Sequence, residues 1–321
     1  LKMMTVGGGS SSLKVKYELS PLDGIRNRVG DKAEVVYARG YVGDPSGEYN
    51  GVKSGQNLED NRSPEELMAE AVQVAKEADY VIFIGGLNKS TYQDCEDADR
   101  KELGLPYGQD AVISALAHVN RNLVVVNISG NAVAMPWVKE VPSIVQAWFL
   151  GTEAGNAIAS ILMGDVNPSG KLPFTFPVSL ADVGAHKLGE YPGVKRENEN
   201  IWDAKYNEGI FVGYRWLDKE NIKPLFAFGH GLSYTQFEYG KVTLDSKVMT
   251  QDGKIVLTVP VTNVGKREGA EIVQLYICDK KSSLSRPEKE LKGFCKVKLA
   301  AGETKTVSFT IDKSSLSFFD D

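Results

Sequence analysis

Tyr80-Val81-Ile82-Phe83-Ile84-Gly85-Gly86 is unbroken β-branched and aromatic sequence that runs into a pair of glycines. No polar residue alternates with the apolar ones, so the stretch suits a strand covered on both faces, as strands are in a parallel sheet between helical layers. The flanking sequence supplies the helices. Upstream, Ser63-Pro64-Glu65-Glu66 joins an N-cap serine, a proline at the first helical position and a glutamate three residues after the cap, which is a capping box. Leu67, Ala71, Val74, Ala75 and Ala78 then recur at helical spacing and predict a helix to about residue 78. Downstream, the spacing predicts a helix over 109–119, a strand over 123–128, a short helix near 132–139, a strand over 143–149 and a helix over 152–163, with Gly164 placed to end it. Farther upstream, Ala33, Val35, Val36, Tyr37 and Ala38, bounded by Gly30 and Gly40, predict a further buried strand over 31–41. The alternation argues for a layered α/β/α sandwich with a mostly parallel sheet, whose ligands sit beyond the carboxyl ends of the strands.

From about Phe237 the hydrophobic period changes from helical to two. Ile255, Leu257, Val259 and Val261 alternate with polar or turn residues, as do Val307, Phe309 and Ile311. Runs at 270–278 and 291–299 complete a set of short strands with no helical segment between them, so 237–321 reads as an all-β immunoglobulin-like sandwich. Residues 31–236 then form the α/β domain. Within it, 179–224 holds Gly, Pro, Trp and Tyr without clear period, the composition of a functional or inter-domain segment.

Composition removes several classes of function. The chain has 321 residues, and 37 Lys+Arg against 42 Asp+Glu leave a net charge of −5. That length allows two domains, each with its own core. A mildly acidic balance without a Lys/Arg block gives no footprint for nucleic acid or an anionic membrane. No apolar run approaches the roughly 18 residues of a membrane span. Cys95, Cys278 and Cys295 are odd in number and widely spaced, which spells neither a disulfide framework nor a zinc site. Residues 1–6 lack the order of a signal peptide and Leu1 is not an initiator, so a piece of a longer chain is expected.

The densest ionisable cluster is Gln93-Asp94-Cys95-Glu96-Asp97-Ala98-Asp99-Arg100, in the loop that follows the 80–86 strand. Two readings stand side by side: a solvated acidic loop partnered by Arg100, and a carboxyl aimed into a cleft with its pKa adjusted for proton transfer. A calcium loop opening at Asp94 fails, since Ala98 replaces a ligand, Asp99 the required glycine and Leu105 the twelfth-position acid. No metal or other cofactor is expected. Gly7-Gly8-Gly9-Ser10-Ser11 lacks the lysine of a phosphate loop and reads as a flexible connection. Asn127-Ile128-Ser129-Gly130-Asn131 lacks the flanking glycines of a nucleophile elbow. Trp202, Tyr206, Tyr214 and Trp216 serve equally as sugar-stacking or packing residues.

Five stretches in one order carry a resemblance: Gly7-Gly8-Gly9-Ser10-Ser11 followed by Ser20-Pro21-Leu22-Asp23-Gly24-Ile25; Gly86-Leu87-Asn88 leading to Glu96-Asp97-Ala98-Asp99-Arg100 and Leu105-Pro106-Tyr107-Gly108-Gln109; residues 164–173; Val212-Gly213-Tyr214-Arg215; and Phe228-Gly229-His230-Gly231-Leu232-Ser233-Tyr234. Over essentially its whole length the sequence resembles the non-barrel part of glycoside hydrolase family 3, the β-glucosidases and β-xylosidases. The resemblance implies that 1–30 links to a preceding TIM barrel, that 31–236 is the family's α/β sandwich domain and that 237–321 is a fibronectin type III-like domain. It implies a retaining, exo-acting mechanism on a terminal β-linked sugar of an oligosaccharide or glycoside, with the nucleophile on the barrel and a carboxyl of the sandwich domain as general acid/base. That carboxyl falls on Glu96, with Asp94 as runner-up. Asp97 stands where the family usually has glycine and adds a like charge expected to raise the pKa of Glu96. Asp99 and Arg100 are expected to be a structural ion pair, and Gly85, Gly86 and Pro106 to shape the loop. A periplasmic or extracellular location is favoured by the resemblance alone. The competing class is a non-catalytic carbohydrate-binding or scaffolding module.

Overall fold

The computed structural model describes residues 9–10, 13, 15–43, 48–49, 52–53, 58–96 and 99–318. The chain packs as two compact units, the first ending at Met163 and the second beginning at Gly164. This division follows packing, whereas the 236/237 boundary of the sequence reading follows the change in hydrophobic period.

The first unit opens with α1, Pro21–Val29, capped by Ser20, whose Oγ accepts the N–H of Asp23 at 3.2 Å. Next come α2 (Pro64–Glu77), β1 (Val81–Gly86), α3 (Gln109–Val119), β2 (Leu123–Ile128), β3 (Ser143–Gln146) and α4 (Ala154–Leu162). The capping box of α2 forms as its sequence requires: Ser63 Oγ accepts from Glu66 N at 3.2 Å, and Glu66 Oε2 from Ser63 N at 2.7 Å. The three strands are parallel in the order β1-β2-β3, with Val81 opposite Leu123 and Val124 opposite Ser143. Strand alternation sorts their side chains to two faces. Ile82, Ile84, Val124 and Val126 pack with Ile158 and Leu162 of α4, and Phe83 and Val125 lie on the opposite face, buried. α3 adjoins both β1 and β2 and also packs on α2. The result is the three-layer arrangement expected.

α1 docks on α4 through two glycines. A Cβ on Gly24 would collide with the backbone of Gly155, and one on Gly155 with the carbonyl of Ser20, so the helices meet backbone to backbone. Leu19 closes the contact, donating its N–H to Thr152 O at 2.8 Å and accepting from Gly155 N at 3.0 Å.

Two expected elements are corrected. Residues 33–42 belong to no strand, and Val36 is 60% exposed. The apolar run records β propensity, but the segment pairs with no strand among the described residues. Residues 136–140 form successive turns in place of a helix, because Met135 and Trp137 are each buried separately.

In the second unit, α5 (Tyr214–Lys219) buries Trp216 and Leu217 against Phe211. Strands β4 (Phe237–Tyr239), β5 (Thr243–Leu244), β6 (Ile255–Asn263), β7 (Gly269–Ile277), β8 (Glu290–Leu299) and β9 (Thr304–Ile311) follow, all pairing antiparallel. One sheet runs β9-β6-β4 with β5 also beside β6; the other is β7-β8. Val259, Val261 and Val307 from the first meet Val273, Val297 and Leu299 from the second in one apolar core, the period-two pattern turned inward. Among the described residues no helix is long and apolar enough to cross a membrane.

Candidate active site

The carboxyl ends of β1, β2 and β3 are held by buried amides. Gln109, the first residue of α3 and fully buried, accepts the N–H of Gly86 through Oε1 at 2.7 Å; its Nε2 donates to Gly86 O at 2.8 Å and Pro106 O at 3.0 Å. One side chain thus fixes both ends of the loop between β1 and α3. At the end of β2, Asn127 Nδ2 donates to Ser129 Oγ (2.9 Å) and Gln146 Oε1 (2.7 Å), and Ser129 Oγ donates to Asn131 O at 2.8 Å. Ser129 is fully buried and its hydroxyl is committed to holding this turn, which removes it as a nucleophile.

The acidic loop leaves β1 along this platform. Leu87 N donates to Ile128 O at 2.8 Å, Asn88 N to Gln93 Oε1 at 2.8 Å and Asp94 N to Asn88 O at 2.9 Å. Asp94 is then tied to the turn after β2: Oδ2 accepts from Gly130 N at 2.6 Å and Oδ1 from Asn131 Nδ2 at 2.7 Å. Arg100 reaches the same place from the far end of the loop, its Nη2 donating to Asn131 Oδ1 and Ala132 O, each at 2.5 Å. Asn131 therefore bridges Asp94 and Arg100 with the two ends of its amide. Burial pushes the Asp94 carboxyl above its ordinary pKa, against the Gly130 N–H, the Arg100 charge and the Asn131 amide. Burial pulls the Arg100 guanidinium below its ordinary pKa, against the Asp94 charge across the loop.

Glu96, two residues on, is exposed. Its Oε2 accepts both the N–H and the Oγ–H of Ser10 at 2.5 Å. The Ser10 hydroxyl, and then its N–H, hold the Glu96 carboxyl below the usual range. Gly9, at φ +105°, lies so near that a Cβ there would collide with Glu96 Cβ and Oε2. Asp97, whose charge is expected to act in the other direction, lies outside the described residues, as do Gly7, Gly8 and Ser11.

The two candidate carboxyls thus separate by chemistry. Asp94 has a backbone N–H or an amide on each oxygen and serves the fold of its own loop. Glu96 stands at the surface beyond the sheet, where a proton can pass to or from a bound group. Sequence reasoning missed three partners: Ser10, set aside as part of a flexible connection; Asn131, set aside with the failed elbow; and Gln109, quoted without a role. Of the aromatic residues, Trp202 and Tyr206 are exposed. Trp216 is buried, and Tyr214 stacks on Phe228 with its hydroxyl accepting Leu291 N at 3.0 Å, so those two are packing residues.

Comparison with known proteins shows the family. The pattern described as "Glycosyl hydrolase family 3 C-terminal domain" matches residues 2–234, and "Fibronectin type III-like domain" matches 271–321. The chain is 50% identical over 321 residues to Beta-glucosidase BoGH3A of Bacteroides ovatus, covering 99% of this chain and 41% of that protein. It is 42% identical to Thermostable beta-glucosidase B of Acetivibrio thermocellus, covering 98% of this chain and 38% of the relative. Among solved structures, the GH3 β-glucosidase of Bifidobacterium adolescentis aligns with a TM-score of 0.82 at 32% identity over 98% of this chain and 42% of that one. The chain spans about two fifths of the length of the curated relatives it matches. By the family pattern over most of its length and by relatives of this similarity, the chain belongs to glycoside hydrolase family 3, of which it spans the C-terminal portion.

Proposed function

We propose that this chain supplies the general acid/base, Glu96, to a retaining, exo-acting β-glucosidase-like enzyme whose nucleophilic carboxylate lies on a TIM barrel preceding it. In this reading 1–30 joins the barrel, 31–236 is the domain that presents Glu96, 237–321 is the fibronectin-like buttress, and the substrate is a terminal β-linked sugar. The observation that carries the reading is the contrast between the two acids: Glu96 is exposed beyond the carboxyl ends of a parallel sheet, and Asp94 is tied into its own domain.

The chemistry runs in two halves. The barrel carboxylate bonds to C1 as the C1–O bond breaks; the bonding pair stays with the leaving oxygen, which takes the proton of Glu96. Water then gives a proton to the Glu96 carboxylate as its oxygen bonds to C1, which releases the sugar and restores both groups. This needs the two carboxyls about 5–5.5 Å apart. A barrel over the site excludes water and brings a like charge close, and both raise the pKa of Glu96 toward that of a useful acid.

The test is Glu96→Gln in the full-length enzyme. The kcat/KM on substrates with poor leaving groups falls by roughly 10²–10⁴, and that on activated aryl glycosides, whose leaving group needs no proton, is largely spared. Equal loss on both substrates contradicts the assignment. The 321-residue chain alone hydrolyses an aryl β-glucoside negligibly, since half of the carboxyl pair is elsewhere; robust turnover by it refutes the division of labour.

A further inference from the structure

Trp202 and Tyr206, the two aromatic candidates that the site leaves unused, belong to a strand pair that is bare on both faces among the described residues. Val194–Lys195 and Trp202–Asp203 pair antiparallel, with Val194 opposite Asp203 and Lys195 opposite Trp202. Opposite residues share a face and successive ones alternate, so Val194 and Trp202 point to opposite faces, yet they are 71% and 51% exposed. From 191 to 207 every residue is exposed except Gly193. This arm is held in shape from within. At its base Glu190, 8% exposed, accepts both the N–H of Asn207, at 3.1 Å, and the Asn207 side-chain amide. Arg196 donates to both oxygens of Asp203, at 2.7 and 2.8 Å. Gly193, at φ +95°, lets the backbone of Asp203 approach where a Cβ would collide with it.

A lone two-stranded ribbon is at best marginally stable in water, and one that exposes Val194, Ile201, Trp202 and Tyr206 together has the composition of a contact surface. Charge narrows what it can meet. The cations Lys195, Arg196 and Lys205 are matched by the anions Glu197, Glu199 and Asp203. The arm therefore offers no field to a charged polymer, and its apolar and aromatic side chains carry the contact. Directly after the arm, Glu208 is 8% exposed and its Oε2 has no hydrogen-bond partner among the described residues. A buried carboxylate oxygen calls for a donor, so the covering surface brings a cation or an N–H beside the apolar contact.

We propose that the arm 191–207 docks this chain on the polypeptide that precedes it, with Trp202 and Tyr206 as apolar anchors and Glu208 Oε2 receiving a donor from that polypeptide. The proposal rests on the reading that a barrel domain precedes the chain, and it is independent of the role of Glu96. Two considerations choose this occupant. The chain covers 41% and 38% of two curated relatives, so the larger part of such a protein is available as a surface. A tethered domain also presents that surface at about millimolar effective concentration, well above that of a second copy of an enzyme in solution, and so covers the arm first.

The experiment is hydroxyl-radical footprinting of the full-length enzyme, read by mass spectrometry at Trp202 and Tyr206 and referred to the same enzyme unfolded in urea. If the arm is bare, exposures of 51% and 78% leave both residues oxidised no more than about twofold slower than in the unfolded chain, whereas docked anchors are slowed about tenfold or more. Trp202 and Tyr206 are then replaced, one at a time, by the photoreactive benzoylphenylalanine, and cross-links are expected within one molecule to residues upstream of Leu1. Oxidation near the bare rate overturns the proposal. So do cross-links confined to this chain, cross-links between two copies with protection that grows with protein concentration, or no cross-link from either position. Glu208→Gln keeps the shape and removes the charge; it is expected to speed oxidation of Trp202 about threefold, and an unchanged rate overturns the part given to Glu208. Glu96→Gln keeps the two layers apart. If it discriminates between leaving groups while the arm is unprotected, only the docking falls; if the arm cross-links upstream while Glu96→Gln does not discriminate, the acid/base reading falls and the docking stands.

Discussion

Replacing Gln109 with methionine isolates the hydrogen bonds that shape the acidic loop, because methionine keeps the length and volume of glutamine and loses its donors and acceptor. In the fold the Gln109 amide makes three bonds, to Gly86 N, Gly86 O and Pro106 O, at 2.7, 2.8 and 3.0 Å, and the residue is fully buried. Neutral bonds in such a place contribute about 1 kcal/mol each, and a buried N–H left without an acceptor costs about 1–3 kcal/mol. Gln109→Met is therefore expected to destabilise the first unit by about 3 kcal/mol, a large part of the 5–15 kcal/mol typical of a domain. Urea unfolding followed by tryptophan fluorescence reads this directly, since Trp137 is fully buried in that unit. With a slope of about 1–3 kcal/mol per molar, the midpoint falls by about 1 M or more at unchanged slope. In the full-length enzyme the same variant loses turnover on poor leaving groups, because Gly86 opens the loop that carries Glu96. A midpoint within about 0.3 M of the parent would refute the claim that this amide holds the loop.

Three further outcomes follow from other contacts. Asp94→Ala strips Gly130 N–H and Asn131 Nδ2 of their acceptor and leaves Arg100 without its facing charge; stability should fall by about 1–3 kcal/mol by urea melt while poor and activated leaving groups are affected equally, in contrast to Glu96→Gln. Asp110 has its pKa raised by burial, against the bond from Trp137 Nε1 at 2.7 Å. A raised carboxyl stabilises the fold fully only below the unfolded pKa and loses that contribution as pH rises through the folded one, so Asp110→Asn should gain stability relative to the parent from about pH 4 upward; a pH-independent difference counts against this. Leu299→Ala in the fully buried sandwich core should cost about 2–5 kcal/mol in the second unit, read by its urea transition.

What was legible in the sequence was whatever depends on neighbours in the chain. The capping box at Ser63 to Glu66, the unbroken run at Val81–Gly86 and the alternation through Ile255–Asn263 each contain their own signal, and each forms where expected. The apolar run at 33–38 carries the same local preference as β1, yet strand formation needs a partner that no local pattern can supply. α1 was not read in the sequence, where residues 20–25 served only the resemblance, and its packing depends on Gly155, more than a hundred residues away. The site divides in the same manner. Its acidic loop was visible as a cluster, and Glu96 stood out through a resemblance of motif. The difference between Asp94 and Glu96 was not visible, because it comes from Gly130 and Asn131 beyond β2 and from Ser10 at a separation of 86 residues.

The most direct measurement on the central claim is the product formed when azide is supplied to the full-length Glu96→Ala enzyme acting on a dinitrophenyl β-glucoside. If Glu96 is the acid/base, the covalent sugar–enzyme ester accumulates for want of a base to activate water, and azide, which needs no such base, attacks it. The account predicts faster turnover with rising azide and a glucosyl azide of retained β configuration. No acceleration, or release of glucose alone at the parental rate, would contradict it.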